Sequence, residues 1–255
     1  MYVQKTIRSG NVTEVEKYQT AKYKAKKTKR QQKKTTTPEH MAKNNAIRAA
    51  KALARLINTN FVYGDLLVTL TYNPPQRPLT TDDAKNHISK FLRKLKNMFR
   101  RNDITCKYVG VSDFGNGITP HHHILIPCGL TLTNLQSLWP NGHVNIETLD
   151  SSGDYTKIAN YLLKHTDKVY NDPTKRVHAK RFFRSRNLKE PEVTIEIVNS
   201  DSWRENPKAP KGYYLVKDSV TSFISPTTGY PYQYYKCISL STLTPNQSFK
   251  FPMLI

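Results

Sequence analysis

Residues 120–127 read Pro-His-His-His-Ile-Leu-Ile-Pro, and this stretch decides how the chain folds around its polar residues. It predicts a β-strand over 121–127, because a run of apolar residues follows the histidines directly. Side chains alternate between the two faces of a strand, so His121 and His123 point to the same side. Two imidazoles on one face of a rigid strand are placed to bind one cation. The alternatives are a pair of packed histidines or a purification tag, although the run is internal.

A second strand, predicted over 105–112, precedes this one, and the residues between them are typical of a turn. The two strands are therefore expected to form a hairpin that brings Asp113 back close to the histidines. A carboxylate with two imidazoles suits Mn²⁺ or Mg²⁺ and leaves coordination positions open for a substrate oxygen. The alternative is that Asp113 serves only the turn.

The rest of the chain alternates irregularly between predicted strands and helices, which indicates an α+β fold. We expect a central antiparallel sheet flanked by helices, preceded by a basic helical N-terminal extension. The predicted divisions are a basic N-terminal arm and helix over 1–60, a central domain over 61–205 and a β-rich C-terminal tail over 206–255. A helix over residues 81–100 is predicted from one continuous apolar face.

The net charge of the chain indicates a polyanionic partner. Its 255 residues include 40 Lys and Arg against 19 Asp and Glu, which gives a formal charge of +21. Nucleic acid is the commonest such partner, since each contact with a phosphate releases a counterion. The alternative is a basic surface that serves only solubility. No apolar run approaches the roughly 20 residues of a membrane span, and no secretory signal is apparent, so a cytoplasmic protein without a membrane partner is expected.

A second polar pattern lies in a helix predicted over 151–168. Tyr161, Lys164 and Lys168 stand at positions i, i+3 and i+7, which places them on one helical face. A phenol is a poor nucleophile unaided, but attack becomes feasible beside an ammonium group and a metal-bound phosphate. The alternative is that Tyr161 only packs the helix.

Taken together, these segments resemble the HUH endonucleases, and in particular the rolling-circle replication initiators of the filamentous-phage gene II and bacterial plasmid type. The segments that carry the resemblance are 67–72, 113–123 and 161–164, in this order, within roughly residues 61–200. His122 departs from the family, which usually has a bulky apolar residue or a tyrosine there. Asp113 stands where relatives often have Glu.

The resemblance implies a Rep-like domain of ferredoxin-like topology that nicks single-stranded origin DNA. His121, His123 and Asp113 would bind Mg²⁺ or Mn²⁺, and Tyr161 would attack the phosphate with help from Lys164, leaving a 5′-phosphotyrosine link and a free 3′-hydroxyl. Tyr155 is the alternative nucleophile. The candidates for DNA binding are cations of the arm, the helix and a later cluster: Lys26, Lys27, Lys29, Arg30, Lys168, Arg181, Arg184 and Arg186.

The expected partners are single-stranded or hairpin origin DNA, a host helicase and a host DNA polymerase in a bacterial cell. A host helicase is expected because the chain has no GxxxxGK motif of its own. Two alternatives remain at this point. One keeps the chemistry in a single-tyrosine transposase or a relaxase, and the other is a basic nucleic-acid-binding protein without enzymatic activity.

Overall fold

The structure is a computed structural model that describes residues 1–23, 30–32, 37–113, 120–170 and 180–243. Over these residues it is a mixed α+β fold with four helices and two five-stranded antiparallel sheets, which confirms the predicted fold class. The helices are α1 (Pro38–Asn60), α2 (Thr81–Arg101), α3 (Leu132–Leu138) and α4 (Thr156–Tyr170). The strands are β1 (Tyr2–Ser9), β2 (Val12–Tyr18), β3 (Leu66–Thr71), β4 (Val109–Asp113), β5 (His121–Ile126), β6 (Val144–Thr148), β7 (Phe183–Arg184), β8 (Glu192–Val198), β9 (Tyr213–Ile224) and β10 (Pro231–Ser239).

The chain divides into two compact units. Unit 1 comprises Met1–Lys33, Ser151–Gly153 and Val193–Ile255, and unit 2 comprises Lys34–Asp150 and Asp154–Glu192. Each unit contains one of the two sheets. None of the described helices is both long and apolar enough to cross a membrane.

The sheet of unit 2 has the strand order β6-β3-β5-β4-β7, and its four pairings are antiparallel. The predicted hairpin of β4 and β5 is confirmed, with Asp113 directly opposite His121 and Val111 opposite His123. On the other side β3 pairs with β5, so that Thr69 lies opposite His123. Residues opposite each other in an antiparallel pair share a face, which means that these side chains all point to one side of the sheet.

Helices cover both faces of this sheet. On one face, α1 and α4 pack onto residues such as Leu67, Val109 and Leu125. On the other face, α2 and α3 pack onto residues such as Leu70 and Ile124. The strands are apolar on both sides at their centres because each side faces a helical layer.

Helix α2 shows how the sequence pattern produces this packing. Its buried residues Ile88, Phe91, Leu95 and Phe99 recur every three or four positions, which confirms the single apolar face predicted from the sequence. Thr80 caps the helix by accepting a hydrogen bond from the Asp83 backbone N–H at 3.1 Å, and the Asp83 side chain accepts one from the Thr80 N–H in return.

The first eighteen residues differ from the predicted basic arm, because they form the hairpin of β1 and β2 in unit 1. Gly10 makes the connecting turn at φ +56, a conformation that glycine adopts without strain. Buried Ile7, Val12 and Val15 supply an apolar side that the neighbouring charges conceal in the sequence. The predicted extension also needs correction at its helix: α1 belongs to unit 2, and Leu53 and Ile57 are completely buried in its core.

The predicted C-terminal tail supplies two strands of the same sheet as this hairpin. The strand order of unit 1 is β8-β1-β2-β10-β9, and β10 pairs antiparallel with both β2 and β9. Segments near the two ends of the described chain therefore share one sheet, which a reading of local patterns does not reveal. The predicted division of the chain at residues 60 and 205 stays a prediction.

Gly110 of β4 offers a test of this packing. An added Cβ would lie 2.6 Å from the backbone oxygen of His123 and 2.6 Å from the ring of Phe183. We expect Gly110→Ala to lower the free energy of unfolding by about 1–3 kcal/mol, since a well-packed sheet has no room for the methyl group. Urea denaturation measures this value. Gly64→Ala is unsuitable as a control because φ is +92 there, so Ala84→Ser on α2 provides the comparison for a small buried change. Equal stability of Gly110→Ala and the native chain would contradict the described approach of Phe183.

Candidate active site

Three adjacent strands of unit 2 change from apolar to polar at the same end and on the same face. Along β5 the residues on this face are Leu125, His123 and His121, and along β4 they end in Val111 and Asp113. The pattern continues on β3, where Leu67 is followed by threonines at alternate positions. The apolar part of this face is covered by α1 and α4, so the polar part lies where the apolar core ends.

The predicted metal ligands are brought together by the strand register. The Nε2 atom of His121 lies 4.0 Å from Oδ2 of Asp113, and the ring centroids of His121 and His123 are 4.8 Å apart. Asp113 and His123 are only 5% and 3% exposed. Within the described ranges no set of three or more His, Cys, Asp or Glu side chains is gathered as a complete metal site. The structure therefore shows a histidine–carboxylate pair with a second histidine beside it.

Thr69 orients one of these imidazoles and was not predicted from the sequence. Its hydroxyl lies 2.9 Å from Nδ1 of His123, within hydrogen-bonding distance. In metal-binding histidines one ring nitrogen binds the metal while a hydrogen bond at the other fixes the ring. The sequence signal was present, since Thr69 lies in the apolar run of β3, but the register between β3 and β5 is needed to recognise it.

Helix α4 places Tyr161 against the histidines. The ring of Tyr161 lies 5.4 Å from the ring of His123 between centroids, at an interplanar angle of 70°. Leu162 and Leu163 are buried in the core, whereas Tyr161 is 46% exposed. The helix thus packs through the two leucines and presents the phenol at the edge, next to the polar strand ends. Lys164 follows one turn later and is exposed.

The alternative nucleophile, Tyr155, has a different environment. It is 2% exposed and packs in the core, and its hydroxyl donates a hydrogen bond to the backbone oxygen of Asp150 at 3.1 Å. Burial raises the pKa of this phenol to about 12, and the carboxylates of Asp150 and Asp65 add to the effect. A phenol that is buried, hydrogen-bonded and harder to ionise is suited to a structural role.

The predicted DNA-binding cations fall into three groups. Lys26, Lys27 and Lys29 lie outside the described residues, as does the side chain of Lys168. Arg30 belongs to unit 1, whereas Arg181, Arg184 and Arg186 belong to unit 2. In that last group Arg184 and Arg186 are exposed, and Arg184 forms an ion pair with Glu190 at 2.7 Å.

The remaining histidine of the triplet, His122, points to the opposite face. It is 1% exposed, its Nδ1 lies 2.7 Å from the Ser112 hydroxyl and its Nε2 lies 2.8 Å from the Tyr72 hydroxyl. Its ring also contacts Trp139, with centroids 5.7 Å apart. Because Ser112 precedes Asp113 and Tyr72 follows the last residue of β3, His122 connects three strands immediately behind the candidate site. Burial raises the pKa of Tyr72, which keeps its hydroxyl protonated as a hydrogen-bonding group.

We expect His122→Phe to lower the free energy of unfolding by about 1–3 kcal/mol, because two buried hydroxyls lose their partner. Tyr72→Phe, which removes one of these hydroxyls, should cost less. In the double variant the two losses should be clearly non-additive, since both single changes break the same hydrogen bond. Chemical denaturation of the four proteins measures the coupling. Additive losses would show that the contact contributes nothing to stability.

Residues 65–168 match the protein family described as Replication-associated protein, ORF2 and gene II protein type. This range includes β3, the β4–β5 hairpin and most of α4, and therefore every residue of the candidate site described above. No curated protein and no solved structure matches the chain significantly.

Proposed function

We propose that this chain, whose residues 65–168 belong to the replication-associated family of ORF2 and gene II proteins, initiates DNA replication by cutting one strand of origin DNA with Tyr161. The observation that supports the proposal best is the ring contact between Tyr161 and His123, with 5.4 Å between centroids. It brings an exposed phenol to the two imidazoles and the carboxylate at the polar strand ends. In the absence of such a contact, a basic DNA-binding protein would be the better interpretation.

The chemistry of the donor set fits a divalent cation. Two imidazoles and a carboxylate on neighbouring strand positions are ligands that Mn²⁺ and Mg²⁺ sites use, and the strand register holds all three on one face. His121, His123 and Asp113 would hold the ion, with Thr69 fixing the His123 ring through Nδ1. When bound, a cation of this kind neutralises charge on a phosphate oxygen and orients the phosphodiester.

In the proposed reaction the phenolic oxygen of Tyr161 attacks the phosphorus atom of one phosphodiester. A bond forms between this oxygen and phosphorus while the bond from phosphorus to the 3′-oxygen breaks. The phenol proton passes to solvent, and the departing 3′-oxygen takes up a proton. One phosphodiester is exchanged for another, so the strand can be rejoined by the reverse attack without ATP.

The other residues of the helix and the cation clusters would position the DNA. Lys164 lies on the same helical face as Tyr161 and is exposed, so its ammonium group can contact a phosphate beside the one attacked. Arg181 and Arg186 flank β7, the edge strand that pairs with β4, and would contact further phosphates. Such contacts fix the register of the strand without reading its sequence. The single-stranded form of the substrate, the host helicase and the host polymerase remain part of the proposal.

We expect Tyr161→Phe to abolish formation of a covalent protein–DNA product and to leave DNA binding unchanged, because the substitution removes only the attacking oxygen. The measurement uses labelled single-stranded oligonucleotides with Mn²⁺, followed by denaturing gel electrophoresis with and without protease. Tyr63→Phe is the matched control, since Tyr63 is 66% exposed in the same unit. A normal yield of adduct from Tyr161→Phe would exclude Tyr161 as the nucleophile.

We expect Thr69→Val to weaken Mn²⁺ binding by roughly 10–100-fold, since loss of a hydrogen bond behind a metal-binding imidazole typically has this effect. His123→Ala should abolish the same binding signal. Isothermal titration with Mn²⁺ in the absence of DNA measures both, so the result does not depend on nicking activity.

Thr148→Val is the matched control, because Thr148 lies at the end of β6 and pairs with Leu66, away from the face that holds the histidines. Unchanged Mn²⁺ affinity in both Thr69→Val and His123→Ala would remove the metal from the proposal. A loss in His123→Ala alone would retain the metal and exclude the orienting role of Thr69.

A further inference from the structure

Unit 1 contains a cavity of about 420 Å³ that has no place in the mechanism above. It lies where β2 ends and β10 begins, and its volume falls within the range of about 300–1,000 Å³ typical of small-ligand pockets. The residues that line it include Tyr18, Gln19, Arg30, Thr228, Tyr230 and Tyr232. Among all the lining residues that the structure describes, none is acidic.

The aromatic side of this cavity is built by strand pairing. Tyr18 of β2 lies directly opposite Tyr232 of β10, and Tyr232 in turn lies opposite Phe223 of β9. The three rings therefore form a row across one face of the sheet, with 5.1 Å between the centroids of Tyr232 and Phe223. Tyr18 and Tyr232 are half-buried, so each packs on the sheet and still presents surface to the cavity.

A guanidinium group is held at the same place. The Nε atom of Arg30 donates a hydrogen bond to the backbone oxygen of Thr228 at 3.0 Å, and the guanidinium lies over the ring of Tyr230 at 5.8 Å from its centroid. These two contacts fix the direction of the side chain. A guanidinium has five N–H donors, and this bond uses one of them.

The wall of the cavity also contains a buried hydrogen-bond acceptor. Gln19 is 3% exposed, and its Nε2 donates to the backbone oxygen of Asp201 at 3.3 Å. Its Oε1 atom has no hydrogen-bond partner among the residues that the structure describes. A buried polar atom in this state is costly, and a ligand that donates a hydrogen bond would relieve the cost.

We propose that this cavity binds one unpaired nucleotide of a DNA single strand. The base would lie against Tyr18 and Tyr232 and donate an N–H to Oε1 of Gln19, while Arg30 would contact the adjoining phosphate. Aromatic surface with a nearby cation is the combination that single-stranded nucleic acid requires, and the charge of +21 favours a polyanion over a neutral ligand. The identity of the ligand rests on the proposed function, whereas the cavity itself lies in the other unit.

The test compares the affinity of the protein for a dT12 oligonucleotide with its affinity for a sugar–phosphate chain of the same length that lacks bases. Both are measured by fluorescence anisotropy at one salt concentration. We expect the native chain to prefer dT12, and Tyr232→Leu to reduce this preference roughly tenfold, because stacking of a base on an aromatic ring is lost. Tyr232→Phe should retain the preference, since the ring remains. Arg30→Gln should weaken binding of both oligonucleotides.

Two controls separate this inference from the proposed function. Tyr63→Leu removes an exposed tyrosine of unit 2 and should leave the preference for dT12 unchanged, and circular dichroism checks that each variant is folded. Adduct formation by Tyr161 is followed with the same variants at saturating DNA. If the native chain forms no adduct but Tyr232→Leu loses the preference, the nicking proposal fails and the cavity remains a nucleotide site.

The inference is overturned if Tyr232→Leu keeps the native preference for dT12, whether or not an adduct forms. It is equally overturned if Tyr232→Phe loses the preference as fully as Tyr232→Leu, because the hydroxyl and not the ring would then be responsible. Photocrosslinking of 4-thiothymidine in dT12 gives an independent readout. We expect crosslinked peptides that contain Tyr18 or Tyr232, and their absence would count against the site.

Discussion

The antiparallel register between β4 and β5 is the constraint on which the candidate site depends. It sets Asp113 opposite His121 and Val111 opposite His123. A shift by one residue would turn every side chain of β5 to the other face, which would exchange His122 for its two neighbours. The apolar layers on both faces oppose such a shift, since Ile124 belongs to one core cluster and Leu125 to the other. The core therefore determines which histidines meet the carboxylate.

The same division of labour runs through the histidine triplet. His121 and His123 lie at the polar edge beneath α4, whereas His122 forms hydrogen bonds to Ser112 and Tyr72 behind them. A polar residue at this buried position is tolerated because both of its ring nitrogens have partners. The connection replaces the apolar packing that a bulky side chain would provide there, and it joins the strands at the ends where their functional residues stand.

Much of unit 2 could be predicted from the sequence because its signals are local. Alternation along β5, the turn after Asp113 and the apolar period of α2 each lie within a few residues, and the structure confirms the two strands and the helix that they predict. The contact between Thr69 and His123 could not be predicted in this way, since it depends on the pairing of strands about 50 residues apart. The choice between Tyr155 and Tyr161 likewise required the helix itself, which buries the first and exposes the second.

Unit 1 was hardest to anticipate, because β2 pairs with β10 across more than 200 intervening positions. This pairing has a consequence for synthesis on the ribosome. All strands of the other sheet emerge before β10 does, so that sheet can form while the N-terminal hairpin still has one unsatisfied edge. Such an edge is a template for association with other chains. The interval before β10 emerges is therefore the stage of biogenesis at which a nascent chain of this topology most needs a chaperone.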